Sequence, residues 1–221
     1  MRSLLRIVES RTNVPLPPQP KMRIGVLASG NGSNFQELVD QVKAGQLPIK
    51  IATLIYNNPD AQVAARAAQA GITPVLLDHR QFTSREALDQ AIVETLQTHK
   101  VELVVMAGWM RRVTEVLIHQ FPDQILNIHP SLLPAFRGAK AIEQALDYGV
   151  KVAGCSVHLV RLEVDAGPII AQAAVPVLED DTYKTLAERI HQEEYKLLPQ
   201  AVGWFAQGRV HIKGNRVAIS E

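Results

Sequence analysis

From Met22 onward, short apolar runs rich in β-branched residues alternate with longer stretches whose apolar positions recur every three or four residues. The short runs predict strands over Arg23–Ala28, Ile49–Tyr56, Pro74–Leu77, Leu103–Ala107 and Ile125–Ile128. The longer stretches predict helices near Asn34–Ala44, Ala61–Ala70, Ser84–Thr98 and Thr114–Phe121. Strand, helix and strand in repeated succession build right-handed βαβ units, and such units stack into a parallel sheet. After Ala139 one more helix is predicted to about Tyr148, and then the rhythm changes. Val152–Val160 and Pro168–Val177 are two apolar runs with no room for a helix between them, so they should pair antiparallel. Thr182–Leu198 reads as a last long helix stopped by Pro199, with a short strand or hairpin beyond it. The expected fold class is α/β: a single Rossmann-like domain with a mostly parallel twisted sheet flanked by helices, and antiparallel strands in the C-terminal third.

The first residues do not follow this rhythm. Pro15-Leu16-Pro17-Pro18-Gln19-Pro20 is too rich in proline for a helix or a central strand, so residues 1–21 are expected to be a flexible N-terminal tail and 22–221 the folded domain. Arg2, Arg6 and Arg11 against the single acid Glu9 leave an organelle-targeting peptide as one alternative, and a true start at Met22 as another. Hydrophobic residues make up 47% of the 221 positions and charged residues 20%, the balance of a globular chain with a substantial core. Lysine and arginine number 23 against 22 acids, so there is no overall field to hold a nucleic-acid backbone, although a local site could hold a small anion. No apolar run approaches the roughly 18 residues that span a bilayer. The one cysteine, Cys155, allows no intrachain disulfide and reads as a small core residue; a reducing, cytoplasmic setting is expected. Either a monomer or a homodimer would fit.

In an open parallel sheet ligands collect beyond the carboxyl ends of the strands, which makes four segments candidates for chemistry. Ser29-Gly30-Asn31-Gly32-Ser33-Asn34 follows the first strand and enters a helix. Its glycines let backbone amides approach an anion, and Ser33 or Asn34 can cap the helix, though a tight turn with no ligand would look the same. The pattern argues against a dinucleotide such as NAD: Phe35 stands where a third glycine is needed, and Tyr56-Asn57-Asn58 ends the second strand without an acid for a ribose. In Asn127-Ile128-His129-Pro130 the alternation of an extended chain puts an amide and an imidazole on one face, a pair that can stabilise an oxyanion and move a proton. Val164-Asp165-Ala166-Gly167-Pro168 is either an ordinary turn or the source of a carboxylate for that imidazole. Gly108-Trp109-Met110-Arg111-Arg112 sets apolar surface beside cations, as a binding loop or as plain packing at a helix start. No closely spaced set of His, Cys and acids suggests a metal.

Gly30-Asn31-Gly32-Ser33-Asn34, Ala107-Gly108-Trp109-Met110-Arg111, Asn127-Ile128-His129-Pro130-Ser131-Leu132-Leu133-Pro134 and Asp165-Ala166-Gly167-Pro168 together resemble, in order and spacing, the motifs of the glycinamide ribonucleotide formyltransferases of purine synthesis. The resemblance covers Met22 to the end and implies the formyltransferase fold. It further implies 10-formyltetrahydrofolate as co-substrate, glycinamide ribonucleotide as acceptor and no metal. By the same resemblance Asn127, His129 and Asp165 match the catalytic trio, Gly32, Ser33 and Asn34 match the loop that holds the acceptor's phosphate, and Glu194 matches an acid that holds the acceptor. Arg85, Met110, Arg111, Arg112, Val113, Asn127, Val164, Asp165 and Gly167 match folate-binding positions. A hydrolase of the same formyl folate and a non-catalytic nucleotide-binding regulator are the competing expectations. A methionyl-tRNA formyltransferase, which shares the Ser-Leu-Leu-Pro loop, would need an added RNA-binding domain.

Overall fold

Period-two alternation along each central strand decides which helices cover which face of the sheet. The computed structural model describes residues 21–221, so the expectations for the preceding segment lie outside the described residues. The elements run β1 (Met22–Ala28), α1 (Ser33–Lys43), β2 (Ile49–Tyr56), α2 (Val63–Gln69), β3 (Pro74–Leu76), α3 (Arg85–Thr98), β4 (Leu103–Met106), α4 (Glu115–Gln120), β5 (Ile125–His129), α5 (Ala141–Tyr148), β6 (Val152–Leu159), β7 (Ile169–Pro176), α6 (Tyr183–Ala206), β8 (Val210–Lys213) and β9 (Arg216–Ile219). The first seven strands form one sheet in the order β3-β2-β1-β4-β5-β6-β7, and β8 and β9 form a separate hairpin. Pairs from β3 to β5 are parallel, and β6 and β7 are antiparallel additions. The mostly parallel sheet and its antiparallel C-terminal strands are as the sequence pattern predicts.

Ile24, Val26 and Ala28 of β1, Leu103 and Val105 of β4, and Leu126 and Ile128 of β5 pack into one core with Phe35 and Leu38 of α1, Val63 of α2, Ile142 of α5 and Leu186, Ile190 and Leu198 of α6. Leu27, Val104, Met106 and Ile125 point the other way, against Leu88, Ile92 and Leu96 of α3 and Leu117 of α4. Gly25 belongs to this second row, where a Cβ would lie 2.4 Å from the tip of the Leu96 side chain, so a side chain there would force Leu96 to move. Asn127 and His129 share the parity of Ile125 and therefore continue the α3/α4 face. On β6, Ala153, Cys155, Val157 and Leu159 belong to the first core, which turns Ser156 and His158 toward the face of Asn127 and His129. The register sets Asn127 opposite His158 and His129 opposite Ser156.

The last helix departs from expectation. It does not stop at Pro199 but continues to Ala206 with the proline inside it. Proline in a helix interior lacks its N–H and crowds the carbonyl four residues earlier, at a local cost of about 3 kcal/mol. Leu197, Leu198, Ala201 and Val202 are all buried on this stretch. Fully burying a leucine or valine contributes about 1.5–3 kcal/mol each, so packing outweighs the local penalty. Replacing Leu198 by alanine should lower the unfolding free energy by about 2–5 kcal/mol in a urea titration, whereas Gln200→Ala, exposed on the same helix, should change it by less than about 0.5 kcal/mol.

Candidate active site

The cradle after β1 is fixed from behind by α2. Val63 N donates to the Gly30 carbonyl at 3.1 Å, and Arg66 grips Asn31 through Nε to the backbone oxygen at 2.8 Å and Nη2 to Oδ1 at 3.0 Å. Gly32 is the residue that caps α1, with φ 76°, and a Cβ there would lie 2.4 Å from the Val63 side chain. Both the left-handed backbone and the close approach require glycine. The expected side-chain cap from Ser33 or Asn34 is absent, because both already lie inside the helix. Asn34 instead donates through Nδ2 to Oε2 of Glu194 at 2.8 Å, which joins the cradle to α6. Glu194 is buried. Burial pushes its carboxyl above the usual range, and the Asn34 hydrogen bond and the nearby His191 offset that rise only in part. The other amide atom of Asn34, Oδ1, is buried with no partner among the described residues.

Asn127, His129 and Asp165 come together. Asp165 sits at φ 51°, a left-handed conformation that aspartate tolerates better than bulky residues do. Its turn is held tightly to β6: Leu159 N donates to the Pro168 carbonyl at 2.9 Å, and a Cβ on Gly167 would lie 1.8 Å from the Leu159 oxygen. The carboxylate faces polar groups on every side. Oδ2 accepts from Gly138 N at 2.8 Å and lies 3.4 Å from His129 Nδ1. Oδ1 lies 3.4 Å from Asn127 Nδ2 and 3.4 Å from His158 Nε2. Burial pushes this carboxyl up, and contacts with His158, the Gly138 N–H and His129 pull it down by more, leaving it below the ordinary carboxylate range. The second nitrogen of His129, Nε2, donates to the Phe136 carbonyl at 2.9 Å. That carbonyl belongs to a loop anchored by Ser131 Oγ to the Ala135 oxygen at 2.6 Å and by Gln172 Nε2 to the Leu133 oxygen at 3.0 Å.

A second group of expected residues lies at the ends of β4 and α3. Met110 N donates to Ser29 Oγ at 2.9 Å, and Ser29 N to the Gly108 carbonyl at 3.0 Å, so this loop touches the cradle. Met110 is 77% exposed, a large apolar side chain open to a ligand. Arg111 is half-buried, and its Nε has no partner among the described residues. Arg112 is exposed and Val113 buried. Thr114 N donates to Asp89 Oδ2 at 2.5 Å. Arg85 lies one helical turn before Asp89 on α3 and is exposed. The cradle and this loop therefore meet where the chain order reverses, β1 leading outward to β2 and β4 outward to β5, the place where open α/β sheets bind ligands.

The sequence pattern of the formyl transferase family matches residues 22–202. The chain belongs to the formyl transferase family. It is 42% identical to the phosphoribosylglycinamide formyltransferase of Bacillus subtilis over 180 residues, which is 81% of this chain and 92% of that protein. It is also 42% identical to the bovine trifunctional purine biosynthetic protein adenosine-3 over 198 residues, 89% of this chain but only 20% of that longer protein. Its fold superimposes with a TM-score of 0.90 on the glycinamide ribonucleotide transformylase 1 of Symbiobacterium toebii, at 49% identity over 91% of this chain and 95% of the other.

One side chain of this polar cluster was not singled out from the sequence. His158 is buried beside both Asn127 and Asp165, with Nε2 3.1 Å from Asn127 Nδ2. The sequence offers no direct signal for it: position 158 lies directly across from 127 only in the antiparallel β5–β6 register that the structure shows. Cys155, on the opposite face of β6, is buried, and its thiol is pushed up to about 12, chiefly by burial and next by the charge of Glu194, which suits a core residue and not a nucleophile. Among the described residues no three His, Cys, Asp or Glu side chains are grouped to hold a metal ion.

The raised carboxyl of Glu194 has a consequence for stability. An acid whose folded-state value lies above its unfolded one loses stability as pH rises from about 4.3, the ordinary glutamate value, through the folded value. Glu194→Gln, which keeps an acceptor for Asn34, should be more stable than the parent near pH 7. Thermal melts at several pH values should find that advantage shrinking to nothing as pH falls below about 4. An advantage independent of pH would contradict the assignment.

Proposed function

We propose that this chain transfers the formyl group of 10-formyltetrahydrofolate to the amine of glycinamide ribonucleotide in de novo purine biosynthesis, giving formylglycinamide ribonucleotide and tetrahydrofolate. The observation that carries the reading is the convergence of an amide, an imidazole and a buried carboxylate at the end of β5, beside an amide-lined cradle. The names of its relatives supply the acceptor and the formyl transfer, and the resemblance of its motifs to that family supplies the folate donor. A cytoplasmic setting belongs to the proposal and is supported by the free, buried thiol of Cys155.

Glycinamide ribonucleotide carries a phosphate and an amine at its two ends. The backbone amides at Gly32, Ser33 and Asn34 open α1, where unpaired N–H groups and the helix dipole favour an anion. Glu194 is the acid that would hold the glycinamide portion, with the unpartnered Asn34 Oδ1 next to it. The folate would lie along Met110, Arg111, Arg112 and Val113, with Arg85 offering charge to its carboxylates and the turn at Val164, Asp165 and Gly167 closing over the reacting end, near Asn127.

The acceptor nitrogen attacks the formyl carbon, the carbonyl oxygen gains negative charge, and the bond from that carbon to the folate nitrogen then breaks. One proton leaves the attacking amine and one reaches the departing folate nitrogen. Asn127 and His129 are the donors for the developing oxyanion, and Asp165 fixes the imidazole and holds its positive charge. His129 Nε2 is occupied by the Phe136 carbonyl in the structure, so the reacting oxygen has to take that carbonyl's place.

Mixing purified protein with 10-formyltetrahydrofolate and following folate release, with and without glycinamide ribonucleotide, tests the reading. Acceptor-dependent release is expected. Release without acceptor would point to a hydrolase, and no release to a non-catalytic regulator. Asn127→Ala and His129→Ala should each fold and lose about 100- to 1000-fold in kcat, the usual cost of one oxyanion donor. Near-normal kcat in either variant would remove that residue from the assignment.

A further inference from the structure

The cradle that would take the acceptor's phosphate has no cation of its own: the stretch from Ser29 to Gln36 contains no lysine, arginine or histidine. Helix-start amides carry only partial charge, together equivalent to about half an elementary charge. A phosphate monoester carries about 1.5 to 2 negative charges at pH 7. A cation fixed to the cradle stands on α2. Val63 opens that helix against the cradle, with its N–H on the Gly30 carbonyl and its side chain in the space that a Cβ at Gly32 would need. Arg66 comes three residues later and so shares that face of the helix. Its Nε donates to the Asn31 backbone oxygen at 2.8 Å and its Nη2 to Asn31 Oδ1 at 3.0 Å. The guanidinium is thereby fixed to the residue just before Gly32.

A guanidinium carries N–H donors on Nε and on both terminal nitrogens. Arg66 gives two of them to Asn31 and forms no other hydrogen bond and no ion pair among the described residues. Its side chain is half-buried, so its charge is screened less than that of a freely exposed arginine. Withdrawing a cation from water without an acid beside it costs free energy that the chain itself does not recover. An anion seated on the amides of Gly32, Ser33 and Asn34 would recover it. We propose that Arg66 is the cation of the acceptor-phosphate site: its two-pronged grip on Asn31 sets the mouth of the cradle, and its charge draws the phosphate dianion. The loop then brings shape and amide donors, and α2 brings the charge that those donors lack. Lysine could bring the same charge but not the planar fork that matches Oδ1 and the backbone oxygen together.

The inference rests on the formyl-transfer reading and deepens it, and its test separates the two. Wild type, Arg66→Gln and Arg66→Lys are compared in kcat and in KM for glycinamide ribonucleotide and for 10-formyltetrahydrofolate. Glutamine keeps a donor for Asn31 and loses the charge, whereas lysine keeps the charge and loses the fork. Arg66→Gln should raise KM for the ribonucleotide about 10- to 100-fold, the span of one hydrogen bond to a charged group. Its kcat and its KM for the folate should stay within about 3-fold of wild type, and all three constants of Arg66→Lys within about 5-fold. An unchanged KM for the ribonucleotide in Arg66→Gln, a loss carried in kcat, or a lysine variant as weak as the glutamine one would each overturn the proposal. Phosphorus NMR reads the charge without turnover. A phosphate monoester loses its second proton near pH 6, about its value in water. Glycinamide ribonucleotide bound to wild type should lose it at a lower pH than when bound to Arg66→Gln, because a neighbouring cation favours the dianion. Equal titration on the two proteins, or no binding of the ribonucleotide to wild type, would overturn the assignment. Wild type that binds the ribonucleotide with this charge dependence and transfers no formyl group would defeat the formyl-transfer reading and leave the role of Arg66 standing.

Discussion

A buried carboxylate has to be met by donors on every side, and Asp165 imposes that demand on three separate pieces of chain. An ionised acid taken out of water without partners costs several kcal/mol. Here the partners are a backbone N–H from the loop after β5, at Gly138, and side chains from β5 and β6. The turn at 160–168, the loop at 131–138 and the antiparallel β5–β6 ladder are therefore tied at one point. Removing any donor leaves the charge under-satisfied, so the groups that stabilise the fold locally are the same ones that surround the reacting position. That coupling explains why the turn tolerates a left-handed aspartate and a glycine pressed against a β6 carbonyl.

Glu194 presents the same physics with the opposite sign. Asp165 has enough donors to be held below the ordinary carboxylate range, whereas Glu194 receives one hydrogen bond from Asn34, and burial wins. The first acid is charged in order to hold an imidazole. The second is an under-satisfied acceptor beside an under-satisfied amide oxygen, an arrangement that lowers stability until a ligand with donors arrives. A glycinamide group has such donors. In the proposed function the two acids would divide the site into a pre-paired reacting end and a binding end whose pairing is incomplete.

Much of this arrangement was legible in the chain. Period-two and period-3.6 patterns placed the seven sheet strands and the first five helices within a few residues, because each βαβ unit is a local decision between two burial patterns. The end of α6 was not legible, since Pro199 is a strong local stop and only tertiary burial of Leu198, Ala201 and Val202 overrides it. Near the site, alternation brought Asn127 and His129 to one face, and motif order added Asp165. The capping role expected of Ser33 or Asn34 failed because the boundary falls one residue earlier, at a glycine whose conformation no side-chain pattern reveals. His158 was missed for a related reason. In sequence it is one polar residue in an apolar strand, and its meaning appears only once β6 is paired with β5 in a definite register.

That register also bears on how the site keeps its geometry while ligands come and go. The carboxamide and imidazole of β5 sit on a strand hydrogen-bonded on both sides, to β4 and to β6, so their backbone cannot shift without breaking ladders. Their loop partners are Phe136 and Asp165, and on loops movement costs less. In the proposed mechanism, a reacting oxygen that displaces the Phe136 carbonyl from His129 would therefore move the 131–138 loop and not the imidazole. Rigid donors on the sheet and yielding acceptors on the loops let substrate replace internal hydrogen bonds one for one. The donors are kept satisfied both before and after binding, and none has to be desolvated at the moment of reaction.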